Sequence, residues 1–398
     1  MSDHLMTVYN RAPIEVERGE GVRLHARDGR VFLDCVAGIA TNGLGHCHPA
    51  LVAALKAQAD KLWHISNIFR IPGQEELADR LTGATFADVV FFGNSGSEAI
   101  ECAIKTARRY HHVNGQSERI DVIGFAGSFH GRTYAAVNAS GNAAYLDGFG
   151  PRLPGFIQLH VDDMAAIEMA IASPTTAALI VEPVQGEGGA RALSGEWLAN
   201  VRKRCTEAGV LLIYDEVQSG MGRTGKLFAH QWFDGCEPDI MAVAKALGGG
   251  FPVGACLASA EAAKGMVFGT HGSTFGGNPL AMAVAAKAFD LIADEALLAH
   301  VRAVGERLAS GLRAMIERYP DIVEEVRGKG LLVGVKLKPN NREMMAAARE
   351  QGLLVAGGGE NCIRLLPPLI ITEEEADEAL AKLDATFAAW NARVPEVA

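Results

Sequence analysis

From about residue 75 the chain alternates short apolar runs with stretches of helical periodicity. Val89-Val90-Phe91-Phe92 reads as a strand, Gly93 to Glu98 as a small polar turn, and Ala99 to Tyr110 as a helix with Ile100, Ala103, Ile104 and Ala107 inward. Further strands are expected at 121–125, 177–181, 210–214, 240–244 and 253–258, with helical patterns between several of them. Continuous apolar runs fit strands buried on both faces, and their alternation with helices predicts an α/β fold built on a mostly parallel sheet. On either side the pattern changes. Gly21 to His25, a turn at Asp28-Gly29, and Val31 to Asp34 form a small strand unit. Pro49 then opens a helix with Leu51, Val52, Leu55, Ala59 and Leu62 on one face. After Pro279 come two long helices, 280–293 and about 296–318, then a strand pair at 331–337 and 362–366. A last helix is opened by the capping box Thr372-x-x-Glu375. The expected organisation is an N-terminal segment, 1–60, that contributes to a small domain, a large α/β domain over 61–278, and a C-terminal small α+β domain over 279–398.

Two strand ends carry candidate chemistry. Val210 to Tyr214 ends in Asp215-Glu216, where open α/β sheets place ligands, just beyond the carboxyl end of a strand. Ile240 to Ala244 ends in Lys245, followed by Ala246-Leu247-Gly248-Gly249-Gly250. A lysine closing a buried strand is an expensive charge; desolvation lowers its pKa and frees its amine for a Schiff base. The turn 93–98 lies between a strand and a helix start, an arrangement that binds phosphate through free backbone N–H groups. A plain helix cap by Ser95 or Ser97 is the alternative there. Gly220 to Lys226 matches seven positions of a phosphate-binding P-loop, which would make the chain a nucleotide-binding protein. Leu227 stands where that loop needs a magnesium-binding hydroxyl, and the acidic strand precedes the glycines instead of following them, so this reading is disfavoured.

Composition narrows the class. The 398 residues are 49% hydrophobic and 21% charged, enough for a large core and two domains. A net charge of −10 argues against a nucleic-acid surface. No run approaches the roughly 18 apolar residues of a membrane span, and no charged-then-apolar signal opens the chain. Seven scattered cysteines without a CxxC pair fit reduced thiols, so a cytoplasmic protein without a zinc site is expected. His46-Cys47-His48 reads as loop, because adjacent residues rarely converge on one metal ion.

These features resemble a pyridoxal-phosphate enzyme of fold type I, and more specifically the class III aminotransferases. The resemblance runs nearly end to end, through GHCHP (45–49), FFGNSGSEA (91–99), FHGRT (129–133), VEPVQGEGG (181–189), DEVQSGMGRTG (215–225), PDIMAVAKALGGGFPVG (238–254), HGSTFGGNP (271–279) and IRLLPPL (363–369). It implies that Lys245 holds the cofactor and moves the substrate proton, and that Asp215 keeps the pyridine nitrogen protonated. It further implies that Gln218 meets the phenolic oxygen, that Val217 and Phe129 cover the two ring faces, and that Gly96 and Ser97 bind the phosphate. Thr274 would reach the phosphate of a neighbouring subunit, making a homodimer part of the site. For substrates the resemblance assigns Arg132 to a carboxylate, Arg364 to the α-carboxylate of glutamate and 2-oxoglutarate, Glu187 as the switch partner of Arg364, and Ser273 as a further contact. Ile39 stands where members acting on ornithine carry a tyrosine, and GFGPRLPGF (148–156) resembles members acting on acetylornithine, so that amine is expected with 2-oxoglutarate as acceptor. Ornithine, succinylornithine and 4-aminobutyrate are the alternatives.

Overall fold

The computed structural model describes residues 4–392. Its centre is a seven-stranded sheet in the order Val89–Gly93, Gly254–Ala258, Ile240–Val243, Leu211–Asp215, Thr176–Val181, Asp121–Phe125 and Phe156–Leu159. Gly254–Ala258 runs antiparallel to both neighbours, and every other adjacent pair is parallel. The four strands at 176–181, 211–215, 240–243 and 254–258 are buried at every position, which is why they read as apolar runs without alternation. Their side chains divide between two layers: Leu212 and Tyr214 join one apolar cluster, Leu211 and Ile213 the other. The second layer is filled by helix Gly96–Val113 through Ala99, Ile100, Ala103, Ile104 and Ala107.

Several boundaries differ from the sequence expectation for identifiable reasons. Helix Gly96–Val113 starts three residues before Ala99, because Ser95 caps it by accepting from the Glu98 N–H at 3.2 Å. Helix Pro49–Ala59 stops before Leu62, whose carbonyl takes a hydrogen bond from the Gln58 amide and whose side chain is exposed. The strand Phe156–Leu159 was not expected. It is four residues long at the sheet edge, and polar Gln158 points back to bond the Asn138 and Ala139 carbonyls.

The two ends of the chain meet outside the large sheet. Val16–Glu20, Arg23–Ala26 and Val31–Asp34 pair antiparallel, and the last also pairs in parallel with Leu353–Leu354. Val323–Lys329, Leu332–Leu337, Cys362–Leu365 and Ala356–Gly358 form an antiparallel sheet in which Gly334 lies opposite Arg364. A Cβ on Gly334 would lie 2.5 Å from the Gly189 carbonyl, so the missing side chain lets the loop carrying Glu187 rest on this sheet beside Arg364. Helices Glu295–Arg318 and Glu373–Asn391 cover these units, the last with both bonds of the Thr372–Glu375 capping box, while helix Pro279–Ile292 packs on helices Pro49–Ala59 and Pro72–Gly83. Among the described residues no helix is long and apolar enough to cross a membrane.

The segment 220–226 is a largely buried turn, and it is followed by a four-residue 3-10 turn, Ala229–Trp232, in place of the α-helix a P-loop needs. Arg223 turns inward, donating to the Leu331 carbonyl at 3.2 Å and to the Pro367 carbonyl. With its loop packed into protein and no helix dipole behind it, this stretch cannot cradle a nucleotide phosphate as a P-loop does.

Candidate active site

At the carboxyl edge of the large sheet, strand Leu211–Asp215 delivers Asp215 into the interior, 3% exposed. Its Oδ1 accepts from the Val217 N–H at 3.0 Å and its Oδ2 from His130 Nδ1 at 2.7 Å. Burial disfavours the His130 cation, but the hydrogen bond to Asp215 and its charge outweigh that cost and raise the imidazole pKa. Glu182, also buried, follows strand Thr176–Val181 as Asp215 closes the neighbouring one. It accepts the N–H groups of Phe129 and Gly186, each at 2.9 Å. Burial, reinforced by the Asp215 charge, pushes the Glu182 carboxyl up to about 7.

Lys245 leaves strand Ile240–Val243 through a left-handed residue, φ 48°, so its side chain turns out of the strand path into a cavity of about 310 Å³. Burial brings its pKa down to about 8; Arg364 pushes in the same direction, while Glu187, Asp215 and Glu182 oppose it. At another side of this cavity lies the N-terminus of helix Gly96–Val113, whose first N–H groups its own ladder leaves unbonded. Two glycines shape the wall. A Cβ on Gly96 would lie 2.8 Å from Val217 Cγ1, and one on Gly131, at φ 122°, would run into Ser97 Oγ.

The cavity gathers Gly96, Ser97, Phe129, Glu187, Asp215, Val217, Gln218 and Lys245. Arg364 lies fully buried behind Glu187 and Gln218, with NH2 2.8 Å from Glu187 Oε1 and NH1 3.1 Å from Gln218 Oε1. Its Nε and NH2 both donate to the Gly357 carbonyl. Arg132 is exposed beside the cavity-lining Phe129, its guanidinium 3.7 Å from the centre of the Tyr145 ring and 5.6 Å from that of Phe129. Ser273 meets the cavity only through Asn94, which donates to its hydroxyl at 3.3 Å. Thr274 is exposed and does not line this chain's own cavity. His46 and His48 are taken up locally, the first 2.7 Å from Asp34, the second capping helix Pro49–Ala59.

His130 and Glu182 are the functional-site residues that sequence reasoning passed over. Both lie inside motifs already singled out, FHGRT and VEPVQGEGG, and the strand-end rule that found Asp215 applies equally to Glu182. An acid, a helix N-terminus and a lysine of lowered pKa around one cavity suit a flat phosphorylated ring with a basic nitrogen.

A family model for class III aminotransferases matches residues 6–387. The chain is a class III aminotransferase. Enzymes of this class depend on pyridoxal phosphate, and the donor set just described fits that group. The chain is 65% identical over 390 residues to acetylornithine aminotransferase 2 of Caulobacter vibrioides, covering 98% of this chain and 96% of that one. It is 54% identical to the acetylornithine aminotransferase of Brucella melitensis, covering 96% and 94%. Among solved structures, N-acetylornithine aminotransferase from Stenotrophomonas maltophilia superposes with a TM-score of 0.85 at 39% identity, covering 97% and 98%. Ornithine aminotransferase from Toxoplasma gondii does so with 0.94 at 32%, covering 98% and 94%. The aminotransferase thus shares its large, mostly parallel sheet with transaminases, over 97–98% of its chain.

Proposed function

We propose that the enzyme transfers the δ-amino group of N2-acetyl-L-ornithine to 2-oxoglutarate, giving N-acetyl-L-glutamate 5-semialdehyde and L-glutamate, with pyridoxal 5′-phosphate as cofactor. The observation that carries this reading is the Glu187–Arg364 pair at 2.8 Å, with Arg364 only 1% exposed at the edge of the cavity. A site that takes a monocarboxylate amine in one half of its cycle and a dicarboxylate in the other needs one cation that can be cancelled.

Each half then has a stated job for each residue. Acetylornithine brings its δ-amine to Lys245, leaving its carboxylate at the rim for Arg132; Glu187 stays on Arg364 and neutralises it. 2-Oxoglutarate brings its keto carbon to the same point, so Arg364 takes the adjacent carboxylate and Arg132 the distal one. When bound, pyridoxal phosphate supplies the electron sink that lets a proton leave the reacting carbon. Lys245 Nζ carries that proton, a task suited to an amine whose pKa is near 8. Asp215, held by His130 and the Val217 N–H, would keep the ring nitrogen protonated. Gly96 and Ser97 would offer N–H groups to the phosphate, Val217 and Phe129 would lie on either face of the ring, and Gln218, its oxygen held by Arg364, would have its amide donor free for the phenolic oxygen. Ser273 supports the wall through Asn94.

The choice of amine rests on the stretch Ala37–Ala40, which runs through φ values of 48–64° and places Ile39 two residues before the cavity-lining Thr41. A β-branched Ile39 at φ 60° is a costly choice that surrounding structure must enforce. An apolar side chain there suits an acylated nitrogen and disfavours the charged α-ammonium of ornithine. The relatives named above as acetylornithine aminotransferases support the same choice.

The enzyme acts as a homodimer in which Thr274 serves the neighbouring site. Asn67 donates to the Ser273 and Gly276 carbonyls, so two segments lie side by side that expose Ile68, Phe69 and Phe275. Such an apolar surface is characteristic of a protein–protein contact. Seven free cysteines suit a reducing cytoplasm. Initial rates with acetylornithine, ornithine, succinylornithine and 4-aminobutyrate, each with 2-oxoglutarate, test the substrate. Acetylornithine should lead in kcat/KM over ornithine and 4-aminobutyrate by roughly tenfold or more; another donor in front overturns the assignment.

A further inference from the structure

A second cavity, of about 780 Å³, adjoins the active site and shares Phe129 and Glu187 with it as walls. One side of it is helix Asn341–Glu350, whose Arg342, Met345 and Arg349 all line the space. Spacings of three and four residues put these side chains on one face of the helix. Met344, Ala347 and Ala348 are buried on the other, which fixes the helix with both arginines turned to the cavity.

The charge on this cavity is one-sided. Among the described residues its one carboxylate is Glu187, already paired with Arg364 at 2.8 Å. Neither Arg342 nor Arg349 has a carboxylate within 4.0 Å among the described residues, nor has Arg132, whose guanidinium rests on Tyr145, another wall of the same space. Exposed arginines elsewhere do: Arg30 pairs with Asp28, Arg70 with Glu75 and Arg307 with Asp377. Its own helix does not favour Arg342 either. The residue sits second in the first turn, where the aligned peptide dipoles are positive and favour acids.

The chain as a whole carries a net charge of −10, so most of its surface repels an anion. A cleft with low-dielectric walls and one sign of charge concentrates the opposite sign. The substrates differ in this respect. 2-Oxoglutarate is a dianion, glutamate a net monoanion, and acetylornithine, with one carboxylate and one ammonium, is neutral overall.

We infer that Arg342 and Arg349 steer anions at the mouth of the active site, drawing the dicarboxylate acceptor toward Arg132 and Arg364. They stand two helical turns apart, roughly 10 Å along the axis, and so supply a field rather than a fixed two-pronged grip. Their effect falls on arrival of the substrate and leaves the chemical step alone. This inference rests on the two-substrate reading proposed above.

The test follows single-turnover half-reactions of the holoenzyme, wild type against Arg342→Gln, Arg349→Gln and the double variant. At about 10 mM salt, where charges act over roughly 30 Å, kcat/KM of the double variant should fall about five- to tenfold for 2-oxoglutarate, less for glutamate, and under about twofold for acetylornithine. At about 0.5 M salt the deficit should vanish, and the limiting rate at saturation should match wild type throughout. Glutarate, a dicarboxylate without a reacting carbonyl, should inhibit the double variant more weakly by the same factor at low salt. A double variant equal to wild type at low salt overturns the inference. So does a loss that persists at high salt, falls equally on acetylornithine, or appears in the limiting rate. Wild-type enzyme that fails to turn over 2-oxoglutarate contradicts the two-substrate reading itself, and this inference with it.

Discussion

Lys245 costs the folded protein stability whenever it is charged. The unfolded lysine keeps its proton to about 10.5 and the folded one only to about 8. Below pH 8 the cofactor-free protein therefore bears the full penalty, and sheds it as the pH climbs from 8 to 10.5. Lys245→Met should make the cofactor-free protein more stable at pH 7 by about 2–4 kcal/mol, with the gap closing toward pH 10.5. Urea unfolding at both ends of that range measures it, and equal stabilities at pH 7 would show the amine to be well solvated. Turnover in the same variant should fall by several orders of magnitude, since nucleophile and proton carrier go together. Asp215→Asn removes the charge while keeping the shape, and should lower kcat roughly 10²-fold or more with cofactor still bound. An unchanged rate would leave Asp215 a structural role alone. At this scale the sequence was informative because both residues terminate buried strands, where a charge is conspicuous. The partners of Asp215 were less so: nothing in FHGRT says that His130, rather than its neighbours, points inward to a carboxylate 2.7 Å away.

At the scale of the element, the active site depends on how closely helix Gly96–Val113 approaches the Val217 turn and the 129–133 loop. Gly131 combines φ 122° with a Cβ position already taken by Ser97 Oγ. Gly131→Ala should therefore both strain the backbone and push Ser97 away, weakening cofactor retention at least tenfold. Fluorescence titration of the cofactor-free variant reads this directly, and wild-type affinity would mean that the cup does not need that approach. The main strands and the capped helices were legible because burial on both faces leaves an apolar run and capping leaves a residue signature. The edge strand Phe156–Leu159 and the early start of helix Gly96–Val113 were not, since a half-buried four-residue strand and a Gly-Ser helix start carry almost no periodic signal.

At the scale of the molecule, two arrangements join parts remote in sequence. Thr274 lies away from its own cavity, so in a homodimer a subunit with Lys245→Ala and one with a disabled Thr274 loop should complement each other. Mixed dimers formed by co-refolding should regain activity that neither parent has, and no recovery would place each site within one chain. The other arrangement is the meeting of Glu187 with Arg364. Hydrophobic pattern cannot show it, because it depends on a loop of the large sheet resting on Gly334 of the antiparallel one; only the resemblance of the motifs suggested it. The decisive measurement is single-turnover spectroscopy of the two half-reactions taken separately. Arg364→Ala should lower kcat/KM for the glutamate half roughly 30- to 1000-fold, a loss of about 2–4 kcal/mol, while sparing the acetylornithine half. Glu187→Gln should preserve or improve the glutamate half and weaken the acetylornithine half. Equal slowing of both halves in both variants would contradict the switch and, with it, the two-substrate reading of this site.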